Sequence, residues 1–162
     1  MRGLALALML LPLPALAEGM KFDGRAVEQC LAGGGWRDCV GQAAEQCMQA
    51  TPGGYSTVGM GGCLDAERQW WDADLNALYQ ELLERARDTD AQPPIEGMAP
   101  RPSDEEALRA MQRAWIIWRD ATCEYEALQW WGGTGAGPAA IGCLMQLTGE
   151  QALRLRSMLA EG

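Results

Sequence analysis

The chain has 162 residues, a formal charge of −9, six Cys and no His. The acidic balance argues against nucleic acid and anionic membranes as partners. The absence of His removes the commonest general base, the Ser-His and Cys-His nucleophile pairs and the commonest metal ligand, so a binding protein without catalytic residues, cofactor or metal is expected.

In chain order, Arg2 is followed by an apolar run over residues 4–13 and by Ala15-Leu16-Ala17. That is the pattern of a secretory signal peptide, residues 1–17, cleaved before Glu18. No Cys follows the cleavage site, so no lipid anchor is expected, and the protein is read as soluble and periplasmic or secreted. Losing Arg2 with the leader takes the charge from −9 by one further unit to −10. An exported chain with six Cys reads as three disulfides. Sequence leaves the pairing open. Proximity along the chain favours Cys123 with Cys143, Cys47 with Cys63, and Cys30 with Cys39.

Residues 18–62 read as a Cys-rich, loop-rich segment fastened by disulfides, with a short helix over 37–48 and loops at 33–35 and 51–62. Leu64, Trp71, Leu75, Leu78 and Leu82 then recur on one helical face, which predicts a helix over 64–88. Pro93, Pro94, Pro100 and Pro102 mark 88–102 as an exposed connector. Ser103-Asp104-Glu105-Glu106 is a capping box that starts the next helix at Asp104. Its predicted core stripe is Leu108, Met111, Trp115, Trp118, Thr122 and Tyr125, ending near residue 130. Gly132, Gly133, Thr134 and the glycines after them follow a helix and lack a Gly-Lys step, which excludes a phosphate loop. The last helix begins near Pro138 and carries Ile141, Leu144, Thr148, Ala152, Leu155 and Leu159. Three amphipathic helices must bury their stripes against one another. The predicted fold is therefore all-α, a small bundle of three long helices with the N-terminal segment tied to it.

The run Q-R-A-W-I-I-W-R-D-A-T-C over 112–123 carries a stronger signal. It is preceded by Asp72-x-x-Leu75-Asn76-x-x-Tyr79 and followed by Gly132-Gly133 and Cys143-x-x-x-Leu147-Thr148. In this order the blocks resemble the LprI-type lysozyme-inhibitor family of small exported bacterial proteins, over residues 63–159. The resemblance makes 63–162 an LprI-like helical domain. It implies a protein partner, a basic lysozyme or related muramidase, whose inhibition protects the cell wall. A rival reading is an envelope structural or scaffolding protein that binds another envelope component. Oligomeric state is not legible in the sequence.

The resemblance includes Asp72, Asn76, Tyr79, Arg119 and Asp120. Arg119 beside Trp118 can be desolvated only against a carboxylate and amide oxygens, for which Asp72 and Asn76 are the candidates. They would make a polar clasp fixing helix register, or a ligand site. Trp130, Trp131, Gly132, Gly133 and Thr134 are the candidate partner-binding loop, since at most one of two adjacent helical Trp can easily face the core. The alternative is a plain turn with Trp packed beneath it. Residues 51–62 are a second candidate loop. Where the family usually has Thr-x-x-Arg, this chain has Thr148-Gly149-Glu150-Gln151, with Arg154 the candidate substitute.

Overall fold

The computed structural model describes residues 19–161, so the leader expected at 1–17 lies outside them. Five α-helices and no strand occur among the described residues. They are α1 (Arg25–Ala32), α2 (Gln42–Ala50), α3 (Thr57–Asp90), α4 (Asp104–Leu128) and α5 (Ala136–Glu161), with one 3-10 turn (Arg37–Cys39) between α1 and α2. None is long and apolar enough to cross a membrane.

Helix α3 starts two turns earlier than its apolar stripe predicts. Ser56 caps it, accepting from the Gly59 amide at 3.1 Å, and the Cys47–Cys63 disulfide binds its first turns to α2. The glycines at 59, 61 and 62 disfavour helix by themselves. Tertiary packing outweighs that preference. Helix α4 starts where the capping box predicts, with Ser103 Oγ accepting from the Glu106 amide at 3.1 Å. The rest of that cap comes from α3. Asp90 accepts from the Ser103 hydroxyl at 2.7 Å and from the amides of Asp104 and Glu105 at 2.8 and 3.1 Å. One carboxylate thereby satisfies several orphan donors and complements the helix dipole.

Contacts between α3 and α5 rise together in residue number, from Leu64 beside Gly142, through Trp71 beside Gly149, to Asp74, which accepts both its hydrogen bonds from Arg156 at 2.8 Å. These two helices are therefore parallel. Pairs between α4 and α5 run the other way, Gln112 with Gln151, Arg119 with Thr148, and Cys123 with Cys143. Trp71, Leu75, Ala152, Leu153 and Leu155 form the centre of the core. Gly149 is small for a reason: a Cβ there would lie 2.8 Å from Val40 Cγ2 and 3.1 Å from Trp71 Cε2.

Two sequence expectations need correction. The N-terminal segment is largely helical. Its Val27, Ala43 and Ala44 enter the main core, and Cys30–Cys39 joins α1 to the 3-10 turn. The buried line of α4 is also rotated from the predicted stripe. It passes through Leu108, Gln112, Trp115, Arg119 and Cys123, and leaves Trp118 and Tyr125 exposed. Apolar residues surround α4 on nearly all sides, so periodicity alone cannot choose the face. The Cys123–Cys143 bond and the Gln112–Gln151 amide pair select it.

The polar residue deepest in the fold is one that apolar periodicity passes over. Glu67 is fully buried. Its carboxylate accepts from the Gly41 and Ala44 amides, each at 2.6 Å, and from Trp71 Nε1 at 2.9 Å. It thus caps α2 from inside the core and aims the central Trp.

Candidate partner-binding site

Behind the turn between α4 and α5, the Cys123–Cys143 disulfide locks the two helices together. Beyond it the chain reverses through tight backbone bonds, Trp131 N to Leu128 O at 3.1 Å and Gly133 N to Trp130 O at 2.9 Å. Gly132 adopts φ +79°, a left-handed conformation that suits glycine. Trp130 is 56 % exposed and Trp131 86 %. The Trp130 ring leans on the Gly135 backbone, close enough that a Cβ there would clash with it. Trp131 has no such support. Neither ring faces the core. Gly132, Gly133 and Thr134 are exposed beside them.

The second candidate loop lies at the same end of the bundle. Parallel α3 and α5 bring their first turns together, where a Cβ on Gly61 would touch Ile141 Cδ1 at 3.7 Å. The loop before α3 exposes Tyr55, while residues 57–62 of that candidate loop are the first turns of α3 and expose Val58. Tyr55 is held in place by donating to Glu45 Oε1 at 2.6 Å. That bond, followed by one from Gln49, lowers the Glu45 pKa below its ordinary value, and the same bond raises that of the Tyr55 hydroxyl. Exposed Met20 packs beside Gly62 at this end too. Two segments distant in sequence therefore expose aromatic side chains at the same end of the bundle. That end stands on two disulfides, Cys47–Cys63 and Cys123–Cys143.

The clasp residues are only partly brought together. Asp72, Asn76, Tyr79 and Arg119 line one cleft of about 350 Å³ between α3 and α4. Arg119 makes no ion pair with Asp72. It pairs with its own neighbour Asp120 at 2.7 Å, reaches Thr148 Oγ1 at 3.5 Å, and lies 4.9 Å from the centre of the Trp115 ring. Asp120 faces solvent. The aromatic partner is thus Trp115, one helical turn before Arg119, in place of the adjacent Trp118. Asn76 donates instead to Asp72 at 3.2 Å along α3, which gives the mid-helix Asn its partner. At the family's Arg position, Gln151 is buried and donates to Gln112 Oε1 at 3.0 Å. A neutral amide pair fills that place, while Arg154 is exposed and does not.

A larger cleft, about 570 Å³, lies on the α4–α5 side under Trp36, Trp115 and Trp118, with Arg37, Glu150 and Arg154 among the residues around it. Trp36 carries no periodic signal in the sequence. The 3-10 turn brings it there. Cys30, Asp38 and Cys39 are close enough to share a metal ion, but the disulfide removes the thiolates that would bind it.

Comparison with known proteins gives two kinds of match. The family model described as "Lysozyme inhibitor LprI" matches residues 47–155, starting earlier than the sequence blocks alone indicate. The chain is 31 % identical over 122 residues to an uncharacterised 17.7 kDa protein from the puhA 5′ region of Rhodobacter capsulatus, covering 74 % of this chain and 73 % of that one. It is 30 % identical over 119 residues to an uncharacterised protein of Rhizobium meliloti strain 1021, covering 73 % and 81 %. No solved structure matches it.

Proposed function

The chain belongs to the lysozyme inhibitor LprI family, and from that premise we propose that it is an exported protein that binds and inhibits a basic muramidase with the aromatic end of its bundle. The observation that carries this reading is Trp131, 86 % exposed on a turn held by a disulfide and a left-handed glycine. A large rigid ring costs little ordering entropy on binding and is the residue type that dominates interface energetics. Trp130 stands beside it, and Tyr55 and Val58 are exposed at the same end of the bundle. The charge of −10 left once Arg2 goes with the leader would steer a basic enzyme to the chain, raising the association rate more than the affinity. Three disulfides suit an oxidising compartment outside the cytosol. In this reading residues 1–17 are the leader, 18–62 the fastened segment and 63–162 the family domain.

The rival reading, attachment to another envelope component, draws on the cleft beneath Trp36, Trp115 and Trp118. Three indoles ringed by both signs of charge suit a ligand with apolar faces and polar edges.

Titrating the oxidised chain against several lysozymes in a peptidoglycan lysis assay, at low and moderate salt, separates the two. Trp130→Ala with Trp131→Ala should remove an anchor of about 2 kcal/mol, weakening inhibition more than tenfold. Undiminished inhibition by that variant would refute the tip as the site. Failure of the unaltered chain to inhibit any lysozyme would favour the envelope reading.

A further inference from the structure

We propose that the protein forms an antiparallel dimer in which α4 packs against α4 of a second copy. The side of α4 turned away from the core is apolar along its length. Ala110, Ala114, Ile117, Trp118, Ala121 and Tyr125 are all exposed, Ile117 at 71 %, Trp118 at 54 % and Tyr125 at 66 %. At 3.6 residues per turn they share an arc of about 100°, opposite the line through Gln112 and Cys123. No charged residue falls inside it. With Ala107 and Leu128 at its ends the face is about 30 Å long at 1.5 Å per residue, a continuous patch of the kind that marks an interaction surface.

The pattern of side chains on this face matches itself when one copy is reversed. A two-fold axis midway between Ala114 and Ala121 sets Ala107 against Leu128, Ala110 against Tyr125, Ala114 against Ala121, and Ile117 against Trp118. Each bulky group at the ends meets an alanine. The alanines flanking the axis let the backbones approach to the close end of helix-packing distances, about 8 Å. A two-fold pairing of one patch with its own copy also closes the assembly at two chains.

The charges bordering the face point to the same partner and the same direction. Arg113 is exposed and makes no ion pair among the described residues, and Glu124 makes none either. Arg113, Asp120 and Glu124 lie along one flank of α4. In the reversed register Arg113 falls between Asp120 and Glu124 of the second copy, about 3 Å along the axis from each, and symmetry repeats the arrangement. A parallel pair would instead set this flank against the opposite side of the second α4, where Met111, Thr122 and Gln129 stand, and would give Arg113 no acid at its own height. The antiparallel arrangement sends the two Trp131 tips in opposite directions and leaves both free. It rests on α4 alone and holds whether or not the tip binds a muramidase.

Sedimentation velocity of the full chain, expressed with its leader and purified with its disulfides intact, should show two-chain particles over a range of concentration. Ala121→Arg puts a charge in the middle of the face at a site already exposed, so the fold should be retained, as circular dichroism can verify, while the dimer is lost. Arg113→Glu should weaken the dimer at least tenfold by facing two acids of the second copy. Adding Glu124→Arg should restore a substantial part of that loss. The proposal is overturned by a chain that stays monomeric at every concentration tried. A dimer untouched by Ala121→Arg overturns it as well, and so does one that Arg113→Glu leaves as tight as before, since that excludes the antiparallel register.

Discussion

Glu67 is the most exacting test of how this fold is held. Its side chain is fully buried and supplies the acceptors for the Gly41 amide, the Ala44 amide and Trp71 Nε1. Glu67→Ala would leave two buried donors and one part-buried donor, the Gly41 amide, without their partner. Each orphaned donor costs about 1–3 kcal/mol, and because the three share one acceptor group their costs do not simply add, so a total of about 4 kcal/mol is expected. Glu67→Gln preserves the volume but turns an NH2 group toward an N–H that needs an acceptor, and should cost about 2 kcal/mol. For a chain of this length 1 kcal/mol moves Tm by about 3 °C, so the two variants should melt about 12 °C and about 6 °C lower. Thermal unfolding followed by circular dichroism, with the disulfides intact, measures both. A Gln variant that melts with the unaltered protein would refute the claim that the carboxylate, and not merely the space it fills, secures α2 and Trp71.

Two further predictions concern the ends of α4. The Ser103 hydroxyl, with the Asp104 and Glu105 amides after it, lowers the Asp90 pKa below its ordinary 3.8. A group whose folded pKa is depressed contributes its full stability above the unfolded value and loses it as pH falls through the folded one. Asp90→Asn should therefore lower Tm at neutral pH and converge with the unaltered protein below 3.8; a Tm difference that does not change with pH would contradict the assignment. At the other end, Cys123→Ser with Cys143→Ser opens a crosslink spanning 20 residues, worth about 3 kcal/mol in the loop-entropy picture. Tm should fall by about 9 °C, and inhibition should weaken as the Trp tip loses its clamp. An unchanged Tm would show that packing alone holds α4 to α5.

The sequence by itself determined the helical class, the three long helices and the start of α4, because these rest on local signals. The capping box at Ser103 and the stripe from Leu64 to Leu82 act within a few residues of one another, and helix formation reads such spacings directly. The motif at residues 112–123 likewise carried the family on residue order alone. Other features had no local signal. Glu67 is one acid among many until the fold sets it beneath the first turn of α2. Trp36 gains its place only when the 3-10 turn carries it to α5. Which face of α4 enters the core was undecidable from periodicity, since Trp115 and Trp118 are equally apolar and one turn apart, and the choice needed Cys143, Gln151 and Thr148 on another helix. That choice sends Trp118 and Tyr125 outward. That the Tyr55 loop and the Trp131 turn lie at one end of the bundle follows from the parallel packing of α3 and α5, in which residues about eighty apart, Gly61 and Ile141, become neighbours. Short-range periodicity and capping determine what each helix is; long-range packing decides which of its faces remains for a partner.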